Sequence, residues 1–313
     1  MRKVIVLHGM GGVGKTQIAL QYAHLHRDCY TAVFWIDARN KGTMATSGLH
    51  ILEKLISHYS IKYPTLHGAE RNDRISLDLG IPGQIEASGK LVQGVSGWKV
   101  VQDWLAKSGN TKWLLLVDNN DDQEAVRLDD SLPTCEWGNI IITSRNRQAC
   151  DHGRSVPVYA IGKEAGVQLL LQGVGKNSEE LSEEGVIEFT LNTYHQRTNL
   201  RFLERLNAER TTEKLGGLPL AIAQAAAYMV STETGFEQYF RELDSNIKDM
   251  LNTQFNGPYR NGNSFTCWKM SFDALGPDAT QLLQVCAYFS NEDIPHELLT
   301  RGIEAMDWLD KGQ

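Results

Sequence analysis

Five short apolar runs punctuate the first half of the chain, at residues 4–7, 32–36, 113–117, 139–143 and 156–161. Each is nearly continuous in apolar residues rather than alternating with polar ones. That pattern predicts strands covered on both faces, as in a parallel sheet packed between helices. Gln17-Ile18-Ala19-Leu20-Gln21-Tyr22-Ala23 has helical spacing after the first run. Residues 97–106 have it before the third, with Val100, Val101, Trp104 and Leu105 on one side. Residues 64–97, rich in glycine and with two prolines, predict a long surface loop holding a short strand or helix.

From Lys163 onward the strand signal fades. Helices are predicted around 167–171, 218–229 and 236–247, with an acidic helix start or exposed turn at 178–184. Residues 253–263, with Gly257, Pro258 and Gly262 among repeated asparagines, read as a linker. Beyond it, 264–275 and 278–289 read as helices broken at Gly276-Pro277, and 294–309 as a last one. No internal repeat is present.

Composition narrows the class. At 313 residues, 42% apolar and 22% charged, the chain supports two or three globular domains. Its net charge of −7, with both signs interspersed, gives no basic footprint for nucleic acid. No apolar run reaches membrane-spanning length, and the first run is too short for a signal peptide. Five scattered cysteines without a CxxC pair fit reduced thiols and a cytoplasmic location.

The richest motif is Gly9-Met10-Gly11-Gly12-Val13-Gly14-Lys15-Thr16. It fits G-x-x-x-x-G-K-[ST], and it stands where a strand gives way to a helix beginning near Gln17. Glycines there let backbone N–H groups turn inward around phosphate oxygens, and the helix N-terminus adds partial positive charge. Lys15 brings a mobile charge to the outer phosphates, and the Thr16 hydroxyl can reach Mg²⁺. Trp113-Leu114-Leu115-Leu116-Val117-Asp118 delivers a carboxylate to the end of a buried strand, where it can hold the same ion. The next position, where many P-loop ATPases carry the carboxylate that orients water, is Asn119, which cannot accept a proton. Asp121 and Asp122 are the remaining acids there; they either reach the water or cap the next turn. Slow hydrolysis, or none, is expected.

Asn139-Ile140-Ile141-Ile142-Thr143-Ser144-Arg145 brings an arginine to the same sheet edge, where a guanidinium can fork onto a γ-phosphate. Leu215-Gly216-Gly217-Leu218-Pro219-Leu220-Ala221-Ile222 ends one helix at its glycines and starts another at Pro219.

In this order the four motifs resemble the NB-ARC module of STAND-class signalling ATPases of the NOD-like receptor type. Phe34-Trp35-Ile36-Asp37-Ala38 and the Asp-Asn pair 118–119 are most similar to the fungal branch. So are Phe265-Thr266-Cys267-Trp268, Ser271-Phe272-Asp273-Ala274-Leu275 and Ile294-Pro295-His296-Glu297-Leu298-Leu299, which look like its winged-helix opening. The resemblance implies an α/β P-loop NTPase domain over residues 1–162, a helical subdomain over 163–252, and a linker with a truncated winged-helix subdomain over 253–313. It implies ADP held at rest, exchange for ATP with Mg²⁺, self-association on activation, and a role in innate immunity or cell-death-like signalling. Nucleotide contacts are expected from Gly9, Gly11, Gly12, Val13, Gly14, Lys15, Thr16, Gln17 and Pro219. Thr16 and Asp118 would hold the metal, and Asp118, Asp121, Asp122 and Arg145 would do any chemistry.

Three departures accompany the resemblance. The family's upstream hydrophobic-Gly-Arg-Glu adenine element has no counterpart before Lys3. The chain reaches Gln313 before a Met-His-Asp motif, and residues 192–207 look inserted. A switch core without effector or sensor modules is therefore expected. The alternatives are a degenerate nucleotide-binding scaffold or fragment and, third, a P-loop kinase. A GTPase is disfavoured because Asn40-Lys41-Gly42-Thr43 lacks the aspartate of a guanine reader.

Overall fold

Residues 2–86, 88–175, 191–252 and 276–286 are described by a computed structural model. Their elements run β1 (Lys3–His8), α1 (Lys15–Leu25), β2 (Ala32–Asp37), α2 (Lys41–Lys62), α3 (Gly68–Leu79), α4 (Gly97–Leu105), β3 (Trp113–Asp118), α5 (Leu128–Ser131), β4 (Asn139–Ser144) and β5 (Arg154–Pro157). Helices α6 (Lys163–Gly173), α7 (Leu191–Lys214), α8 (Pro219–Thr232), α9 (Phe236–Asn252) and α10 (Pro277–Cys286) follow. The linker and winged-helix motifs at 253–275 and 294–299, and the acidic stretch at 178–184, lie outside the described residues.

All five strands pair in parallel, in the order β2-β3-β4-β1-β5. Strand β3 is buried at every position, which explains its unbroken run of apolar residues. The pleat sorts side chains between two cores. Val6, Ile36, Trp113, Leu115, Val117, Ile140 and Ile142 face α2, α3 and α4. Leu7, Leu114, Leu116 and Ile141 face Ala19 and Ala23 of α1. Helix α2 opens with a capping box, in which the Asn40 side chain accepts from the Thr43 N–H and the Thr43 hydroxyl accepts from the Asn40 N–H.

Helices α6 to α9 build a second core around Leu170, Ile222, Ala225 and Leu243. Gly166 and Gly173 let α6 sit close to its neighbours: a Cβ at either would come within 2.4 Å of Thr212 or Ala226. Helix α7 ends in a Schellman motif, with Gly217 N–H donating to Thr212 O and Gly216 N–H to Glu213 O. Gly217 also ties this unit to the sheet, because its carbonyl accepts from Ile161 N–H at 3.0 Å.

One expectation changes, and two stretches gain definition. The fifth strand lies at Arg154–Pro157 rather than 156–161, because its partner β1 ends at His8 and Gly9 turns away. Residues 64–97 contain the three-turn helix α3, with Asn72, Ile75, Ser76 and Leu79 buried on one side. Residues 192–207, which look inserted, lie within helix α7.

Candidate functional site

Between β1 and α1 the chain turns through the glycine-rich segment, with Gly9, Gly12 and Gly14 at φ 151°, 77° and 98°. Gly9 is required for a second reason: a Cβ there would lie 2.3 Å from the carbonyl oxygen of Val158. Gly14 is the N-cap of α1, and that helix has neither a side-chain cap nor an acid in its first turn. Its N–H groups are therefore presented to a ligand rather than satisfied by the chain's own side chains. Val13 is buried.

The Lys15 ammonium, itself buried, donates to the carbonyls of Gly9 at 2.7 Å and Met10 at 2.8 Å. It thus lies over the loop it belongs to, in reach of whatever the loop encloses. Thr16 donates its hydroxyl to Asp118 Oδ1 at 2.8 Å, joining the loop to the end of β3. Thr143 donates to the same oxygen at 2.5 Å, and Asn119 Nδ2 to Oδ2 at 3.0 Å. Burial raises the Asp118 carboxyl above the ordinary aspartate range; the two threonine hydroxyls oppose that shift.

Thr16 and Asp118 offer two hard oxygens beside a phosphate-binding loop, the donor type Mg²⁺ takes when phosphates and water complete its shell. Among the described residues no group of three or more His, Cys, Asp or Glu is arranged for a metal. The ion would therefore depend on the nucleotide for its remaining ligands, as a P-loop ion does.

The sign of the Asp118 shift yields a test. A carboxyl raised in the folded state makes folding weaker as pH climbs from the unfolded aspartate range through the folded one. At neutral pH its charge is a standing cost. Asp118→Asn should therefore raise the Tm of the nucleotide-free chain at pH 7. The gain should shrink as pH falls through the raised folded-state range and be nearly gone below about 4, where the unfolded carboxylate is protonated too. The same variant should lose the Mg²⁺ dependence of nucleotide binding. Melting curves across pH check both, and a lower Tm at pH 7 would refute the sign.

Asp121 and Arg145 meet each other. Arg145 donates its backbone N–H and its Nε to the two Asp121 oxygens, both at 2.6 Å. Asp122 is exposed, and its Oδ1 accepts from the N–H groups of Glu124 and Ala125, a local cap. Asn119 adopts φ 61°, an uncommon backbone for a residue other than glycine, and its N–H donates to Thr143 Oγ1.

Pro219 occupies the first turn of α8, a helix without a side-chain cap or an acid in its first turn. Its Cγ lies against Gly14, and the next residue donates from Leu220 N–H to Gly12 O at 3.2 Å. Two helix N-termini, α1 and α8, thus converge on the loop. Beside them opens a cavity of about 380 Å³ lined by Gly12, Gly14, Gln17, Ile18, Ile161, Ala165, Gln168, Leu169, Gln172, Pro219 and Leu220. Its apolar walls and three glutamine amides match the make-up of small-molecule sites.

Of the residues the motifs singled out, the structure brings the loop, Asp118 and Pro219 together and sets Arg145 on Asp121. Sequence reasoning gave no role to Thr143, although that residue lies inside a motif, nor to α6. The signal in α6 was Ala165, Gln168, Leu169 and Gln172, one helical stripe distinct from its core face of Gly166, Val167, Leu170 and Leu171.

No family model matches the chain. A protein of Hyaloscypha variabilis described as nucleotide-binding leucine-rich repeat (NLR)-like is 26% identical over 326 aligned positions. The match covers 94% of this chain and 28% of that protein, so the chain spans little more than a quarter of the curated relative's length. Among solved structures, a STAND protein with a tetratricopeptide repeat sensor from Pyrococcus horikoshii is similar at TM-score 0.34 and 14% identity, over 94% of this chain and 33% of that one. The Drosophila ORC bound to DNA is similar at TM-score 0.35 and 13% identity, over 83% and 64%. The fold assignment rests on the sheet order and the loop rather than on these superpositions. Along nearly its whole length the chain is similar to an NLR-like protein, as its four motifs imply.

Proposed function

We propose that this chain is the nucleotide-binding core of an adenine-nucleotide switch, resting with ADP and activated by exchange for ATP with Mg²⁺. The contact between α8 and the phosphate-binding loop carries the reading. Leu220 N–H and Pro219 touch the loop itself, so anything that fills the loop acts directly on the placement of the helical subdomain. A ligand shifts a conformational equilibrium only through contacts that differ between the two states. The Arg145–Asp121 pair supplies a second such contact, because a γ-phosphate would compete with Asp121 for the guanidinium.

Binding would begin with Lys15 turning from the Gly9 and Met10 carbonyls to the outer phosphates. Thr16 and Asp118 would hold Mg²⁺, which screens phosphate charge. The base would enter the cavity beside α6, where glutamine amides can pair with the N6 and N7 edge of adenine. Gly11 and Gln17 complete the loop and the mouth of that cavity. Release of the α8 contact would free surfaces for self-association. By the same reading the chain works in the cytoplasm in immune or cell-death-like signalling. No helix among the described residues is long and apolar enough to cross a membrane.

Chromatography of nucleotide released by denaturing the purified chain tests this. ADP, in near-stoichiometric amount, is the expected result. An empty chain that also fails to bind added ADP or ATP would favour a degenerate scaffold, and a bound guanine nucleotide would overturn the base assignment.

A further inference from the structure

We infer that Asp37, at the end of β2, is the carboxylate that takes the proton of the attacking water when this site cleaves ATP. The inference rests on the nucleotide reading above and names a residue that reading does not use.

Strand parity sets the face that Asp37 reaches. In a strand, successive side chains point to opposite faces of the sheet. Val117 and Ile142 face α2 and α4, so Asp118 and Thr143 face the α1 side, where the phosphate-binding loop lies. On β2, Trp35 packs with the α1-side cluster and Ile36 with the other. Asp37 therefore returns to the α1 side. It is the parallel register partner of Asp118, and Ala38 N–H donates to Asp118 O at 2.7 Å just beyond the pair. Adjacent strands run about 4.8 Å apart. Asp37 thus lies one strand over from the proposed metal-holding carboxylate, on the face where the γ-phosphate would stand.

All the acids near that edge are engaged, Asp37 included, and they differ in what engages them. Asp118 receives three donors, from Thr16, Thr143 and Asn119. Asn119 cannot accept a proton. Asp121 holds the arginine that would have to reach the γ-phosphate, and Asp122 caps a turn in solvent. Asp37 is partly sheltered, and Arg39 is its positioning residue. Arg39 Nε donates to Oδ1 at 3.0 Å and to Oδ2 at 2.9 Å, its Nη2 to Oδ2 at 2.5 Å, and its backbone N–H to Oδ1 at 3.1 Å. The Arg39 side chain is 61% exposed, against 25% for Arg145, so its hold on Asp37 is the more open to exchange with water.

In the step, the water oxygen bonds to the γ-phosphorus as the bond to the β–γ bridging oxygen breaks. The water proton passes to the Asp37 carboxylate and on to solvent, and ADP and inorganic phosphate are the products.

The test loads wild type, Asp37→Asn and Asp37→Ser with Mg²⁺ and ATP, then denatures samples over time and identifies the nucleotide retained. ADP affinity is measured by calorimetry in parallel. Wild type should come to hold ADP, while both variants should retain ATP and cleave it at least about tenfold more slowly, since a positioned base contributes about 10²–10⁴. ADP affinity should stay within about threefold. Cleavage in either variant within twofold of wild type overturns the inference, as does a wild type that binds ATP and never cleaves it. Loss of ADP binding in both variants makes Asp37 structural and overturns it too. A wild type that binds no nucleotide sinks the function reading along with it.

Discussion

Lys15→Ala should weaken ADP and ATP binding by at least about a hundredfold. The ammonium reaches two loop carbonyls at 2.7 and 2.8 Å, so it already lies over the cradle and need only rotate to meet phosphate oxygens. Charge-assisted hydrogen bonds contribute about 1.5–3 kcal/mol each, and 1.4 kcal/mol is tenfold in affinity. Removing the side chain also strips both carbonyls of a donor, which lowers stability slightly and separately from binding. Calorimetric titration resolves the two, because the affinity loss should far exceed any change in melting temperature. An affinity within threefold of wild type would show that the loop does not bind phosphate through Lys15.

Gly9→Ala should destabilise the whole nucleotide-binding domain rather than merely weaken its ligand. The added methyl would sit 2.3 Å from the Val158 carbonyl oxygen, a contact with backbone that no rotamer can relieve. The residue also occupies φ 151°, at the edge of the conformations that favour glycine. Steric and backbone penalties of this kind reach about 3 kcal/mol or more, which for a domain of about 160 residues corresponds to a melting temperature lower by roughly 6–12 °C. The loss should appear equally in denaturant midpoints without ligand. A variant with wild-type stability would mean that Val158 can move aside and that the junction between loop and β5 is soft.

Legibility in the sequence followed whether a feature was carried by one segment or by two. The strands β1 to β4, the loop at Gly9–Thr16 and the start of α8 at Pro219 were readable, because each depends on its own residues. The fifth strand was displaced because Val158 and Ile161 are apolar whether or not they lie in a ladder. What ends β5 at Pro157 is the length of β1, a fact about another part of the chain. Helix α3 was only partly legible because the polar residues Asn72 and Ser76 share its buried side with Ile75 and Leu79, breaking the apolar stripe. Burial of Asn72 is supported by a bond from its amide to the Glu86 carbonyl at 2.8 Å, another partner that periodicity cannot show. The site divides in the same way. Lys15, Thr16 and Asp118 announce themselves by motif, whereas Asp37 gains meaning only from the strand order that sets β2 beside β3.

That side-by-side placement makes the sheet edge a counting device. Thr143, Asp118 and Asp37 come from three separate strands, yet all reach one face because each stands an odd number of residues past a core-facing neighbour. A substitution within β2, β3 or β4 changes one side chain and leaves that count intact. Deleting or inserting a single residue there inverts every position beyond it, and turns the acid or hydroxyl toward α2 and α4. Along these strands, descent with altered spelling is permitted while descent with altered length is not. The tolerated places for gain or loss of residues are the turns, where the count restarts.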